Sequence, residues 1–103
     1  MEMDTLILPD IVEETEVEAE EEPLYKVIIH NDDVTPFDFV INILLKIFEL
    51  KQPDAELCTV IAHTTGQAYV TTLPKSEAQK RVGKAHFAAS LEGYPLHFTI
   101  EPI

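Results

Sequence analysis

Four of the five residues 31–35 are polar, Asn31, Asp32, Asp33 and Thr35, and they separate the mostly apolar run 25–30 from a second, longer apolar stretch. Side chains at such a corner reach solvent and can meet a ligand. His63 is a second polar residue of interest, near the end of a predicted helix, with Thr59 and Val60 one turn earlier able to share its face. These residues also have an ordinary use. Asn and Asp are common turn formers, and carboxylates at a helix N-terminus and a His near a helix C-terminus both suit the helix dipole.

Other chemistries fit the sequence less well. His30, Asp32, Asp33 and His63 could offer imidazole and carboxylate ligands to zinc or manganese, but adjacent Asp residues are no dedicated ligand spacing. Neither a metal nor another cofactor is expected. Cys58 as nucleophile with His63 as base fails on geometry, because residues five apart on one helix are displaced around its axis. Cys58 reads instead as a small core filler. The three Gly residues form no phosphate loop. The residues favour a recognition module over an enzyme.

The elements that must position the corner follow from local pattern. Residues 25–31 read as a strand, buried on one face and partly on the other. Thr35 is a natural N-cap, Pro36 fits the first helical position, and Asp38 completes a capping pattern. That helix is expected to run to about Leu50, with Asp38, Asn42, Lys46 and Glu49 as its one wet stripe. A second helix starts near Pro53 and stops at Gly66, with Leu57, Val60 and Ile61 facing inward. Residues 67–73 read as a strand. Pro74 opens a third helix whose apolar set is Ala78, Val82, Ala85 and Ala89, and residues 96–101 close the chain as a strand. The order β-α-α-β-α-β predicts an α+β domain over residues 24–103, a three-stranded sheet with three helices on one face. It excludes a doubly wound nucleotide fold.

Charge divides the chain in the same place. Of its 19 acidic residues, ten fall in residues 1–23, which carry no Lys or Arg; the remainder has nine acidic against seven basic residues. The net charge of −12 is thus mostly a property of the first 23 residues. Residues 1–23 are expected to be a disordered acidic extension, because so polar a segment cannot bury enough surface to offset its ordering entropy. Its apolar island, Leu6–Ile7–Leu8 with Ile11 and Val12, is too short for a membrane span and lacks the basic flank of a secretion signal. Neither part is basic enough to suggest nucleic acid. One Cys permits no internal disulfide, and a cytoplasmic location is expected.

The run YKVIIHNDDVTPFDFV, the AH-x-x-G-x-A at 62–68 and the YPLHFTIE ending closely resemble the ClpS family of protease adaptors, over residues 25–101. The resemblance implies a non-enzymatic, monomeric module that binds the free N-terminal residue of proteins marked for destruction, where that residue is Leu, Phe, Tyr or Trp. It would deliver them to a ClpA- or ClpC-type unfoldase. It also implies a fold like the C-terminal domain of the ribosomal stalk protein, and a stalk-like interaction domain without such binding is the alternative function.

By that resemblance Asn31, Asp32 and His63 surround the substrate's α-amino group, while Asp33 and Thr35 shape the corner and meet the substrate backbone. The side-chain pocket maps onto Phe37, Val40, Thr59, Ala62 and Leu96. Here the chain departs from the family, which commonly carries Met at the positions of Phe37 and Thr59. The implied unfoldase contact falls on Ser76, Glu77 and Arg81, with Ser76 where the family often has Glu. The acidic extension is implied to serve delivery.

Overall fold

The computed structural model describes residues 22–103, so the expected disorder of the acidic extension lies almost wholly outside the described residues. The elements are β1 (Leu24–His30), α1 (Phe37–Lys46), α2 (Gln52–Thr65), β2 (Gln67–Pro74), α3 (Lys75–Leu91) and β3 (His97–Pro102). β1 is central, in the order β2-β1-β3, and pairs antiparallel with both neighbours. Its β-branched run Val27–Ile28–Ile29 is buried, as suits the one strand with a neighbour on each side. Val27 and Ile29 join Phe98 of β3 and Ala68 and Val70 of β2 in a core completed by all three helices. The α+β architecture is the expected one, with the helices on one face of the sheet.

Three local expectations give way. α1 ends at Lys46, not near Leu50. Glu49 takes a left-handed φ of 61°, and the Leu50 N–H reaches back to the Leu44 carbonyl at 3.0 Å. Arg81 of α3 donates to the Ile47 carbonyl at 3.2 Å, so carbonyls freed by the early stop are satisfied and stopping there costs little. Glu49 therefore lies outside the helix and pairs with Arg81 instead, at 3.4 Å.

The cap of α1 also differs. Pro36 occupies the cap position without a side-chain hydrogen bond, and the Thr35 hydroxyl turns back to donate to Asp32 at 2.9 Å. Asp38 does lie in the first turn, where the dipole favours it.

The inward face of α2 is the largest correction. Leu57, Val60 and Ile61 are 59%, 48% and 38% exposed, while Ala55, Cys58, Thr59 and Ala62 are buried. Small side chains at this spacing form a narrow seam that lets α2 approach β2 and α1 closely. Thr59 joins the seam because its hydroxyl donates to the Ala55 carbonyl at 2.8 Å, leaving no unpaired polar atom. Cys58 follows the same logic, donating to the Tyr69 carbonyl at 3.4 Å, and burial pushes its thiol pKa up to about 11.

α2 stops where the sequence indicates. Gly66 has φ 102°, and its own N–H bonds the Ala62 carbonyl. Its carbonyl accepts the Asn31 N–H at 3.0 Å, joining the end of α2 to the corner after β1. No atom crowds the position, so a side chain there suffers only from the backbone angle. Gly66→Ala is expected to cost at least about 1 kcal/mol, and to lower the melting temperature of a domain this size by roughly 4–8 °C per kcal/mol. An unchanged thermal midpoint would contradict a strained backbone there.

Candidate functional site

The corner is held by one carboxylate. Oδ1 of Asp32 accepts the Val34 and Thr35 N–H groups at 2.9 and 2.7 Å, and Oδ2 accepts the Thr35 hydroxyl. Thr35 is buried at the base of the turn, while Asn31 and Asp33 are exposed. The Asn31 amide approaches the Asp33 carboxylate at only 3.5 Å, the limit for a hydrogen bond, and its carbonyl oxygen has no donor among the described residues. Asp32 has capacity for about four hydrogen bonds. One acceptor position therefore remains open.

Beside this corner lies a cavity. His30, Asn31, Asp32 and Thr35 line its polar side, and Ile29, Phe37, Val40, Thr59, Ala62 and Leu96 line the rest. All five expected pocket residues are on its wall. The Thr59 hydroxyl is committed to its own helix backbone, so this wall is less polar than the residue type suggests. Val40, Thr59, Ala62 and Leu96 are each at most 7% exposed, whereas Phe37 is 45% exposed. Four walls are therefore fixed by the core and one is free to move.

His63 is exposed on the last turns of α2 and its ring meets that of Phe37 edge to face, centroids 5.1 Å apart. Through Phe37 and the Asn31–Gly66 bond, it belongs to the same end of the molecule as the corner. Among the described residues its ring nitrogens have no hydrogen-bond partner. The space in the cavity is small. It totals about 270 Å³ counting the open mouth, but the centre of a water-sized sphere has only about 20 Å³ to move in. A branched or aromatic side chain enters only if a wall yields, and Phe37 is the wall that can.

His30, considered above only as a metal ligand, was not among the expected lining residues of the cavity. Its Nε2 lies 2.7 Å from the Thr99 hydroxyl of β3. Its position at the end of a strand beside a polar corner was the only sequence signal that could have marked it.

Ser76, Glu77 and Arg81 occupy the start and second turn of α3, away from the cavity. The Glu22 carboxylate accepts the Ser76 N–H at 2.7 Å and its hydroxyl at 2.8 Å, and these bonds lower the Glu22 pKa. Arg81 donates to Glu77 at 2.7 Å, which lowers the Glu77 pKa, and its other contacts tie it to the end of α1. Ser76 and Glu77 are the more open of the three.

Among the described residues no group of three or more His, Cys, Asp or Glu is arranged to hold a metal ion, and no helix is long and apolar enough to cross a membrane. Cys58 lines a different cavity, between α2 and β2, with Tyr69 and Ile61.

An acceptor-rich corner at the mouth of an apolar-walled cavity, on a small α+β scaffold, is the architecture of a small binding module. The family model "ATP-dependent Clp protease adaptor protein ClpS" matches residues 20–99. The chain is 39% identical over 85 residues to the Clp protease adapter protein ClpS 2 of Mesorhizobium japonicum, covering 82% of this chain and 84% of that one. It is 39% identical over 92 residues to the ClpS of Nautilia profundicola, covering 89% and 95%. Its fold matches the solved structure of Agrobacterium tumefaciens ClpS2 bound to L-phenylalaninamide, with a TM-score of 0.76, 32% identity and coverage of 81% and 100%. This chain belongs to the ClpS family of Clp protease adaptors.

The corner's geometry makes a separable prediction. Thr35→Val keeps the shape of residue 35 but removes the hydroxyl that Asp32 accepts. It should lower stability by about 1 kcal/mol and loosen residues 31–35, seen as faster amide exchange at Val34 and Thr35. Unchanged exchange there would mean that the hydroxyl bond to Asp32 adds nothing to the two backbone bonds that hold the turn.

Proposed function

We propose that this protein binds the free N-terminal bulky apolar residue of degradation substrates and delivers them to a ClpA- or ClpC-type AAA+ unfoldase, acting as a cytoplasmic monomer. The carrying observation is the pairing of open acceptors at Asn31 and Asp32 with an apolar cavity, in a chain similar to one solved with a small amine-bearing phenylalanine derivative.

The chemistry follows from the ligand's end group. An α-amine has a pKa of about 7.7–8.0, so near neutrality it is mostly an ammonium with three outward donors. The Asn31 carbonyl, the open position on Asp32 and a ring nitrogen of neutral His63 supply three acceptors. An internal peptide offers one N–H and no charge, so it cannot replace the terminus. Asp33 and Thr35 shape the corner beside the ligand backbone. The first side chain displaces the Phe37 ring and enters between Val40, Thr59, Ala62 and Leu96. Its burial contributes roughly 1.5–3 kcal/mol, and charge-assisted bonds add about 1.5–3 kcal/mol each. After association costs of at least about 4 kcal/mol, micromolar affinity is expected.

Selectivity rests on the narrow cavity. Leu and Phe should bind better than Trp, whose indole asks Phe37 to move furthest. Phe37→Ala should raise the affinity of Trp-initiated peptides relative to Leu-initiated ones, by about ten- to a hundredfold for a pocket difference of this kind. No change in that ratio would remove Phe37 from the selectivity wall.

Fluorescence anisotropy with peptides beginning in Leu, Phe, Tyr, Trp, Ile or Ala, each free and acetylated, tests the reading. Acetylation should abolish binding, and Asp32→Ala should remove most of it from a domain that remains folded by circular dichroism. Equal binding of acetylated Leu peptides would exclude amine recognition. Absence of any binding would leave the stalk-like interaction domain. Deleting residues 1–22 should abolish delivery to the unfoldase yet preserve peptide affinity, and loss of both together would contradict a division of labour between extension and domain.

A further inference from the structure

Three of the four histidines stand in a row that the binding reading does not use. His30 of β1 and His97 of β3 have ring centroids 5.5 Å apart, and His97 stacks on His86 of α3 at 5.3 Å with planes 4° apart. β3 is an edge strand, and the Nε2 of His86 accepts the Phe98 N–H at 2.9 Å. An imidazole that accepts through Nε2 is neutral and carries its proton on Nδ1. Protonation replaces that acceptor with a donor, so the bond to Phe98 breaks.

A carboxylate, Asp32, shares the cavity's polar side with His30, but none stands beside His86 along α3. Among the described residues no carboxylate pairs with any of the three rings; the ion pairs are those of Arg81 with Glu49 and Glu77. β3 faces His86 with His97, and β1 contributes His30 behind it. On α3, positions 82, 83, 89 and 90 hold Val, Gly, Ala and Ser, and the nearest charge along the helix is the cationic Lys84. Burial first, and His97 second, lower the pKa of His86. The row also reaches the cavity at two points, through His30 on its polar side and through Leu96, the buried wall residue next to His97.

We infer that the His30–His97–His86 row is an acid-sensitive latch, whose protonation frees the edge of β3, loosens the Leu96 wall and weakens ligand binding. The direction follows from linkage. The folded pKa of His86 lies below its unfolded value of about 6.5, so on acidification the unfolded chain takes up the proton first. Stability that is fully present above about pH 6.5 is then lost as pH falls through the folded pKa. The binding half of this inference rests on the proposed ligand; the opening of β3 does not.

The latch is tested with the full chain and with His86→Gln, whose side-chain carbonyl can still accept the Phe98 N–H without titrating. In the wild type, the amide-exchange protection factor of Phe98 should fall as pH is lowered from about 7.5 to below the His86 midpoint found by NMR, and in His86→Gln it should hold. The affinity for a free-amine Leu peptide should drop over the same interval by about tenfold more in the wild type than in the variant, the equivalent of one pKa unit of coupling. His63 is common to both proteins and cancels in that comparison. Equal wild-type protection of Phe98 at both pH values, or equal affinity ratios in the two proteins, overturns the latch. If His86→Gln does not fold, the NMR titration midpoints of His86 and His97 in the wild type, with and without peptide, decide the matter, and identical midpoints refute it. Absence of binding near pH 7.5 counts against the proposed function, while Phe98 protection in the free protein still decides the opening of β3.

Discussion

The Asp32 carboxylate is the interaction on which the binding end of this molecule depends. The chain must leave a buried central strand and enter a helix packed on the core within six residues, and the N–H groups of that turn need partners. Asp32 takes two of them and a hydroxyl as well. A turn built from a carboxylate carries negative charge by construction. The same bonds that fix the backbone set an anionic oxygen at the mouth of the cavity, with Asn31 beside it. A neutral cap would hold the turn without that charge. Structure and proposed recognition therefore use one group, and variants at Asp32 have to be read for both.

The second constraint is the small-residue seam of α2. Ala55, Cys58, Thr59 and Ala62 let the helix lie close to the sheet, and this closeness leaves the cavity so little room. A larger residue at position 59 would fill it from below. Because the core holds four walls, any ligand side chain has to be accommodated by Phe37, whose ring also braces His63. Displacing Phe37 thus touches the group proposed to meet the amine. In the proposed reading, side-chain fit and amine recognition are coupled through one aromatic contact.

Most of the fold was legible because its punctuation is local. Gly66 and the prolines at 36, 53 and 74 mark helix ends by backbone chemistry that no tertiary contact needs to supply. The inward face of α2 was not legible. Hydropathy ranks Leu57, Val60 and Ile61 above Thr59 and Ala62, but the depth of a helix is set by how closely its neighbours approach. The early end of α1 was hidden for a similar reason, since Arg81, thirty-four residues downstream of Ile47, satisfies its last turn. At the cavity, residue types and resemblance located the walls, yet the sequence could not indicate that Thr59 spends its hydroxyl on Ala55, or that His30 shares the space.

The other end of the molecule has its own logic. Glu22 is the first described residue, and its carboxylate holds both donor groups of Ser76 while Pro23 accepts the Lys75 N–H at 3.0 Å. A carboxylate at a helix N-terminus is favoured by the unsatisfied N–H groups there and by the dipole. The root of the acidic extension is consequently fastened to the start of α3, the surface on which resemblance places the unfoldase contact. Ser76 stands where the resemblance implies Glu, and Glu22 brings a carboxylate to within hydrogen-bonding distance of it, so a negative charge lies there from a different segment. A partner that pulled on the extension would load this fastening before the central strand. In the proposed reading, the contact surface and the origin of the delivering segment are one structural unit, separated from the ligand cavity by the length of the sheet.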